Sequence, residues 1–475
     1  MLQEAVRWTS QAIVFATLVA GGAADADRTS WHAIASGDIA ATDNVFASTR
    51  DQSQSDMFTT LRPGILFTYN TPKMVHELNV EGEVLEYLVH SDEPSLSFRA
   101  GWRGSFTTGK YSSLQTSLGA STGVSTALSS RSSPDQTITQ LNPIGKVDTQ
   151  QADGNEVFSW SSGRAIRLSE TLFGRASTTD DNAIEDLALG TGPTIVKSVE
   201  AGMALGIERD FRWNSLSIEV GASVLRLERD APPTAMQGPR LDRQLNPRAR
   251  LQWRHDFDRR WSSTADGGLV YVYPYGTDPD NPDVKQDPGT FPIIGAGLAY
   301  SEVWGRAQLL VRRDVAPNLF VAQNTVNDSG TVSLAMPLPL LHESRRNPRL
   351  VGLGSIGVSR TQLIGANGEL SSSFKIGRLD LGVGYTVRPG FTYGMRYEFV
   401  YQTGDSQAVA QIPAFYRNTL SFTFNIQYPY RTAGDVPRRR ANSVRADGKD
   451  LVPIGVEPVT TEGLGDSGGD GGGDE

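Results

Sequence analysis

The chain has 475 residues, 38% of them hydrophobic, with 49 glycines, no cysteine and a formal charge of −9. The missing cysteines exclude disulfides, thiolate metal sites and cysteine nucleophiles, and the acidic balance argues against a nucleic-acid binder. After the N-terminus there is no apolar run long enough for a helical membrane span; β-strands, which cross with roughly 9–11 half-polar residues, are not excluded.

The N-terminus reads as a processed secretory segment, residues 1–26. Arg7 supplies its one basic side chain, Ala12–Gly22 (AIVFATLVAGG) an apolar stretch, and Ala24-Asp25-Ala26 an A-x-A cleavage site, although Glu4 weakens the usual positive end. The competing reading is a short hydrophobic helix of a cytoplasmic protein.

Beyond it, alternation takes over. Ser95–Phe106 (SLSFRAGWRGSF) puts Leu96, Phe98, Ala100, Trp102, Gly104 and Phe106 on one parity and Ser97, Arg99, Gly101, Arg103 and Ser105 on the other. A strand's side chains point to opposite faces with period two, so one face is greasy and the other polar and cationic. In a soluble sandwich the apolar face packs in a core; in a membrane barrel it meets lipid and the arginines line a lumen. After the tight turn Thr108-Gly109-Lys110, Leu114, Leu118, Ala120 and Val124 alternate with small polar residues. Long polar loops are then expected at about Ser129–Glu156, Thr178–Gly192, Asp230–Arg243 and Thr277–Thr290.

Leu245–Phe257 sets Leu245, Ala249, Leu251, Trp253 and Phe257 against Asn246, Arg248, Arg250, Gln252 and Arg254, and a turn follows at Asp258–Arg260. Asn318–Pro348 resists parsing because MPLPLL carries two prolines. Arg378–Val387 then alternates, turns at Arg388-Pro389-Gly390, and returns as Phe391, Tyr393, Met395, Tyr397, Phe399 and Tyr401 against Thr392, Gly394, Arg396, Glu398 and Gln402. Leu420–Tyr428 is the last strand. Helical periodicity is absent from the mature chain. Trp102, Trp160, Trp253, Trp261, Tyr271, Tyr273, Tyr393, Tyr401 and Tyr428 sit mostly near strand ends, as interfacial aromatic girdles do.

These readings converge on an all-β, single-chain transmembrane antiparallel β-barrel over residues 27–430, with about 16 strands (about 14 to 18). An even count follows from both termini facing the periplasm. From Arg431 to Glu475 the chain carries RRR at Arg438–Arg440 and ends in EGLGDSGGDGGGDE; nothing there can build a core, and a disordered periplasmic tail is expected.

Catalytic signatures are missing. The five histidines, His32, His76, His90, His255 and His342, show no metal-ligand spacing, and the G-x-S-x-G strings at Gly119–Gly123 and Gly465–Gly469 lie in an alternating strand run and in the glycine-rich tail, without the strand–turn–helix setting of a nucleophile elbow. No enzyme activity, metal or cofactor is expected. What stands out is the polar face: Arg99, Arg103, Arg248, Arg250, Arg254, Arg306, Arg312, Arg378, Arg396 and Arg417, with Glu398, lie opposite the apolar parity. Arginine at mid-membrane on the lipid face costs roughly 2–4 kcal/mol, so these residues belong on a lumen wall. There they either pair with carboxylates such as Asp256, Asp380 and Glu398 and stiffen the wall, or attract anionic or hydroxyl-rich solutes.

Ser36–Phe67 (SGDIAATDNVFASTRDQSQSDMFTTLRPGILF) resembles the opening hairpin of Gram-negative outer-membrane barrels encoded near exopolysaccharide genes. The likeness rests on Asp43-Asn44-Val45-Phe46, Ser55-Asp56 and Pro63-Gly64. It implies a barrel in the lipid of the cell outer membrane, folded with the barrel-assembly machinery, that secretes a polysaccharide together with a periplasmic polysaccharide-export protein. It supplies no catalytic residues. One departure is the segment of 45 residues after Tyr430, where such barrels usually end on the last strand's aromatic. The alternatives are a general or solute-selective porin, with a loop such as Ser129–Glu156 folded inward, and a non-conducting barrel that anchors an envelope assembly.

Overall fold

The computed structural model describes residues 29–45, 53–89, 94–126, 146–162, 166–180, 195–230, 240–275, 287–302, 304–318, 323–338, 349–364, 370–404 and 414–429. The expected signal segment and tail lie outside these residues, as do His90 and His342. The described residues form 18 strands. In chain order they are β1 (Thr29–Thr42), β2 (Asp56–Asn70), β3 (Met74–Tyr87), β4 (Ser95–Thr107), β5 (Ser112–Thr126) and β6 (Lys146–Ser161). There follow β7 (Ile166–Asp180), β8 (Ile195–Asp210), β9 (Asn214–Asp230), β10 (Arg240–Asp256), β11 (Trp261–Pro274) and β12 (Gly289–Glu302). The last six are β13 (Gly305–Asn318), β14 (Gln323–Pro337), β15 (Leu350–Ile364), β16 (Leu370–Arg388), β17 (Phe391–Gly404) and β18 (Phe415–Tyr428).

Each strand pairs antiparallel with its neighbours in sequence, and β1 pairs with both β2 and β18. The sheet is therefore a closed ring with no free edge, the condition a bilayer imposes on β structure. The count of 18 corrects the expected figure of about 16. The shortfall arose where alternation is weak: β6 (KVDTQQADGNEVFSWS) is polar on both parities over its first half, and β14 (QNTVNDSGTVSLAMP) lies in the stretch that prolines obscured. Residues 146–156 are thus strand, where the sequence pointed to a loop running from Ser129 to Glu156; its remainder, and those of the other expected loops, lie outside the described residues.

One end of the ring carries short turns, including 71–73, 108–111, 211–213, 257–260 and 389–390, the segment between β14 and β15 being the wider exception. Wider separations, such as those between β5 and β6, β7 and β8, and β9 and β10, fall at the other end. The turn chemistry is local. Asp258 Oδ1 accepts the N–H groups of Arg260 and Trp261 at 2.7 and 2.8 Å, and these bonds hold its carboxyl below the usual carboxylate range. Gly390 has φ of 79°, in the left-handed region that a side chain disfavours. Proline, lacking an N–H, coincides with interrupted pairing: the β2–β3 ladder has no pair at Arg62 or Pro63, and β10–β11 none at Asn246 or Pro247.

The segment that carries the family resemblance has a constructional duty. Asp43 accepts the backbone N–H and Nδ2 of Asn418 at 2.7 and 2.6 Å, and Asn44 Nδ2 donates to the Tyr416 carbonyl at 3.1 Å. Asp56 Oδ1 accepts the N–H groups of Met57 and Val89 at 2.7 and 3.0 Å. Together they fasten the first hairpin to β18 and to the end of β3, at the seam where the barrel closes.

Outward faces are identified by exposure. Val199, Met203, Leu205 and Ile207 on β8, Ile218, Val220 and Val224 on β9, and Met395 and Phe422 on β17 and β18 are all exposed large apolar side chains. Such a continuous belt is stable against hydrocarbon and not against water. Near the tight-turn end it carries an aromatic girdle: Trp31–Phe67, Trp253–His255–Phe257, Trp261–Tyr300–Trp304 and Tyr385–Tyr393, with neighbouring ring centroids 4.4 to 5.6 Å apart. His255 is thus an interfacial ring, its Nδ1 2.7 Å from Asn214 Oδ1.

Candidate functional site: the lumen wall and its mouth

The polar parity faces the inside. Contacts between strands that are not neighbours can be made only across the concave side of a closed sheet, and all of those observed use this parity or an infolded segment. Asn324 Nδ2 of β14 donates to Gln244 Oε1 of β10, and Val326 of β14 packs with Val270 and Val272 of β11.

The eleven expected lumen residues all fall on this inner face by register, but in three settings. Four belong to a dense ion-pair arc over β16, β17, β18, β1, β2 and β3. Arg378 Nη2 lies 2.9 Å from Glu398 Oε2, Arg417 Nη2 3.2 Å from Glu398 Oε1, and Arg396 Nε 2.6 Å from Asp380 Oδ1. The arc continues through Arg62, which bonds Asp38 at 3.2 Å and Glu83 on the next strand. Arg417 and Glu398 are almost fully buried. A second group lies on β10 to β13: Arg250 grips Asp266 through Nε and Nη2 at 3.0 and 2.9 Å, Arg248 meets Glu219 at 3.3 Å, Arg254 meets Asp256 at 3.2 Å, and Arg312 meets Asp314 at 2.6 Å. The third group is solvent-facing. Arg99 and Arg103 on β4 are exposed, opposite Glu81 and Glu77 of β3 and Ser121 and Ser117 of β5, and Arg306 is exposed near the tight-turn rim.

Ion pairs stiffen this wall, since desolvated guanidinium–carboxylate pairs survive only with matched hydrogen bonds, and Arg99, Arg103 and Arg306 on the same face are exposed. Asp38, Arg62, Glu83, Glu219, Asp266 and Asp314 were missed. Applying the same parity rule to β1–β3, β9 and β11–β13 would have found them.

Nothing in the sequence reading anticipated the mouth. At the long-loop end, inner positions turn apolar and are buried: Phe58, Leu85 and Tyr87 on β2 and β3, Leu225 and Leu227 on β9, Val270 and Val272 on β11, Phe291 and Ile293 on β12, and Phe374 and Ile376 on β16. An open aqueous mouth would leave them wet; instead Phe374 and Leu225 are each 1% exposed.

Part of the filling is a hairpin. The β12–β13 ladder runs from Glu302↔Gly305 to Ile294↔Arg313 and stops, while β11–β12 continues to Val272↔Gly289 and β13–β14 to Asn318↔Gln323. Above Arg313, β13 leaves β12 and its hairpin with β14 folds inward. Val315 and Val326 belong by alternation to the outer face, yet they pack against the inner-face side chains Val270, Val272, Phe291 and Ile293. The Asn324–Gln244 hydrogen bond fixes the tip across four strands. Thr361 and Thr325 bond to Asn327 Oδ1 at 2.8 and 3.4 Å on the hairpin's other face. Two bent strands thus narrow the mouth; the part of the nominated loop before residue 146 lies outside the described residues.

Among the described residues no cluster of histidine and carboxylate side chains has the arrangement of a metal site. No protein-family model matches the chain, and no curated protein does. Solved barrels are similar in fold at low identity. The alcaligin outer membrane receptor FauA of Bordetella pertussis has 9% identity and a TM-score of 0.44, over 84% of this chain and 76% of that one. OccAB3 of Acinetobacter baumannii has 8% identity and a TM-score of 0.43, over 84% and 99%. OpdK of Pseudomonas aeruginosa, solved with vanillate, has 10% identity and a TM-score of 0.43, again over 84% and 99%.

Proposed function

We propose that the protein is a solute channel of the Gram-negative outer membrane, closed at its long-loop mouth in the conformation described. The observation that carries this reading is the contrast inside one lumen: exposed cations at Arg99 and Arg103 lie below a collar of buried apolar side chains. A barrel that served only as an anchor would have no need of solvated arginines along its interior. The cations favour anionic solutes, and their dispersion favours transit, since strong binding at one site would stall it. The apolar collar under the β13–β14 hairpin is a hydrophobic constriction, which gates by excluding water.

The test exploits the absence of cysteine. Gln244→Cys with Asn324→Cys places two thiols where side chains already touch. Reconstituted in planar bilayers, the oxidised pair is expected to stay shut and the reduced one to open as wild type does. Val272→Asp, which puts a charge under the docked hairpin, is expected to raise the open fraction. Silence from wild type, the reduced pair and Val272→Asp alike would sink the channel reading. Conduction that ignores the cross-link would sink only the role of the hairpin.

A second reading keeps the same wall and takes a polysaccharide as cargo, handed over by a periplasmic export protein. Its support is the resemblance of Ser36–Phe67, and those residues also fasten the barrel seam. A deletion strain is its test: surface polysaccharide lost supports it, and surface polysaccharide unchanged overturns it.

A further inference from the structure

On five strands the outer wall changes from aliphatic to basic within one step toward the long-loop end. Moving toward that end along the outward parity, Val199 is followed by Lys197 on β8, Val224 by Arg226 on β9, and Leu245 by Arg243 on β10. Val311 is likewise followed by Arg313 on β13, and Val358 by Arg360 on β15; Lys375 stands at the corresponding place on β16. The flanking inner positions are buried, Leu225 and Leu227 beside Arg226 and Phe374 and Ile376 beside Lys375, so the outward direction of the cations is unambiguous.

Register gathers them into two clusters. On one side Arg226 stands directly opposite Arg243, with Lys197 opposite Glu228. On the other Arg360 stands directly opposite Lys375, with Asp328 between Arg313 and Arg360. Among the residues whose side chains are described, each cluster sets three cations against one carboxylate. That carboxylate is already engaged, Glu228 by Arg226 at 2.9 Å and Asp328 by Arg313 at 3.3 Å. Among the described residues Lys197, Arg243, Arg360 and Lys375 have no carboxylate within salt-bridge distance.

Directly opposed like charges destabilise a sheet, because their Cβ atoms are only about 4.5–5.5 Å apart. Beside a hydrocarbon slab the repulsion is less screened than in open water. A sheet that twice sets cations face to face at the same height is arranged for a multivalent anion at that height. The height is the level just past the aliphatic belt, where lipid head groups lie.

We propose that these two clusters bind the phosphate groups of the glycolipid filling the leaflet at the long-loop end, that is, lipopolysaccharide. Arginine would hold a phosphate through its fork of N–H groups and lysine as a point charge. The inference needs only that the barrel spans the membrane, and it stands whether or not the lumen conducts.

The test uses the full-length barrel in neutral detergent, with heat-induced unfolding followed by gel mobility. Purified lipopolysaccharide is expected to raise the unfolding temperature of wild type, and its dephosphorylated form to do so much less. Arg243→Gln with Lys375→Gln removes one cation from each opposed pair. Without lipid this variant is expected to be at least as stable as wild type, because repulsion is relieved. Its apparent affinity for lipopolysaccharide is expected to fall about 25-fold, from the usual contribution of a basic residue at an anionic lipid surface. The proposal fails if wild type shows no phosphate-dependent shift, or if the variant responds as wild type does. It fails equally if phosphatidylglycerol micelles reproduce the whole effect, which would assign the clusters to anionic lipid in general.

Discussion

The two ends of the barrel obey opposite rules. Toward the tight turns, apolar side chains point out and charged ones point in: on β9, Ile218 and Val220 face outward while Glu219 faces the lumen, where it meets Arg248. A few residues further along the same strand, Leu225 and Leu227 point in and are buried, and Arg226 and Glu228 point out as an ion pair. β16 repeats the change, with Leu381 and Val383 outward and Arg378 and Asp380 inward, then Phe374 and Ile376 inward and Lys375 outward. The strand itself does not change. What changes is the medium: at membrane level the exterior is hydrocarbon, and beyond it the exterior is water and head groups, so the sheet reverts to the soluble arrangement of an apolar inside and a charged outside.

The sharpest test truncates the same side chain on both sides of this divide. Phe374→Ala opens a cavity among buried residues and is expected to cost about 3–5 kcal/mol of barrel stability. Phe422→Ala, on the exposed lipid face, leaves a gap that acyl chains fill and should cost less than about 1 kcal/mol. Urea titration of both variants in lipid vesicles decides it, and equal losses would refute the inverted ends.

Near the junction of the two regimes, Arg417 and Glu398 form a buried pair. Arg417→Met leaves the carboxylate without this guanidinium, and a loss of about 3–5 kcal/mol is expected in the same assay. Adding Glu398→Leu should restore most of it. A double variant no better than the single one would show that the pair is not a unit.

At the open end the effects are on permeation. Reversing Arg250 and Arg254 together to glutamate should move a conducting barrel's ion preference from anions toward cations. Reversal potentials in asymmetric salt measure this, and an unmoved preference counts against both side chains facing the pore. The smallest effect belongs to the turn: Gly390→Ala, at φ of 79°, should cost about 1 kcal/mol, with conductance untouched.

Much of this was legible from residue order. Period-two alternation named the class, the outward aliphatic residues and the inner arginines, and it placed the turns at Gly109, Asp258 and Gly390 correctly. It failed where its premise failed. In β6 both faces are polar, so there was no contrast to read, and β14 was hidden among prolines. Ambiguous runs such as Val224-Leu225 and Phe291–Ile294, apolar on both parities, were in hindsight the mark of a strand passing from one exterior medium to the other.

The sequence by itself determined that each strand has two chemically distinct faces, because alternation is a local property of an extended backbone. Only the tertiary structure decided which medium each face meets at each height, how many strands close the ring, and that β13 leaves β12 above Arg313. Those outcomes depend on pairings between residues distant in sequence, such as β1 with β18 and Asn324 with Gln244. A local pattern carries no record of its partner, and closure is a property of the whole ring.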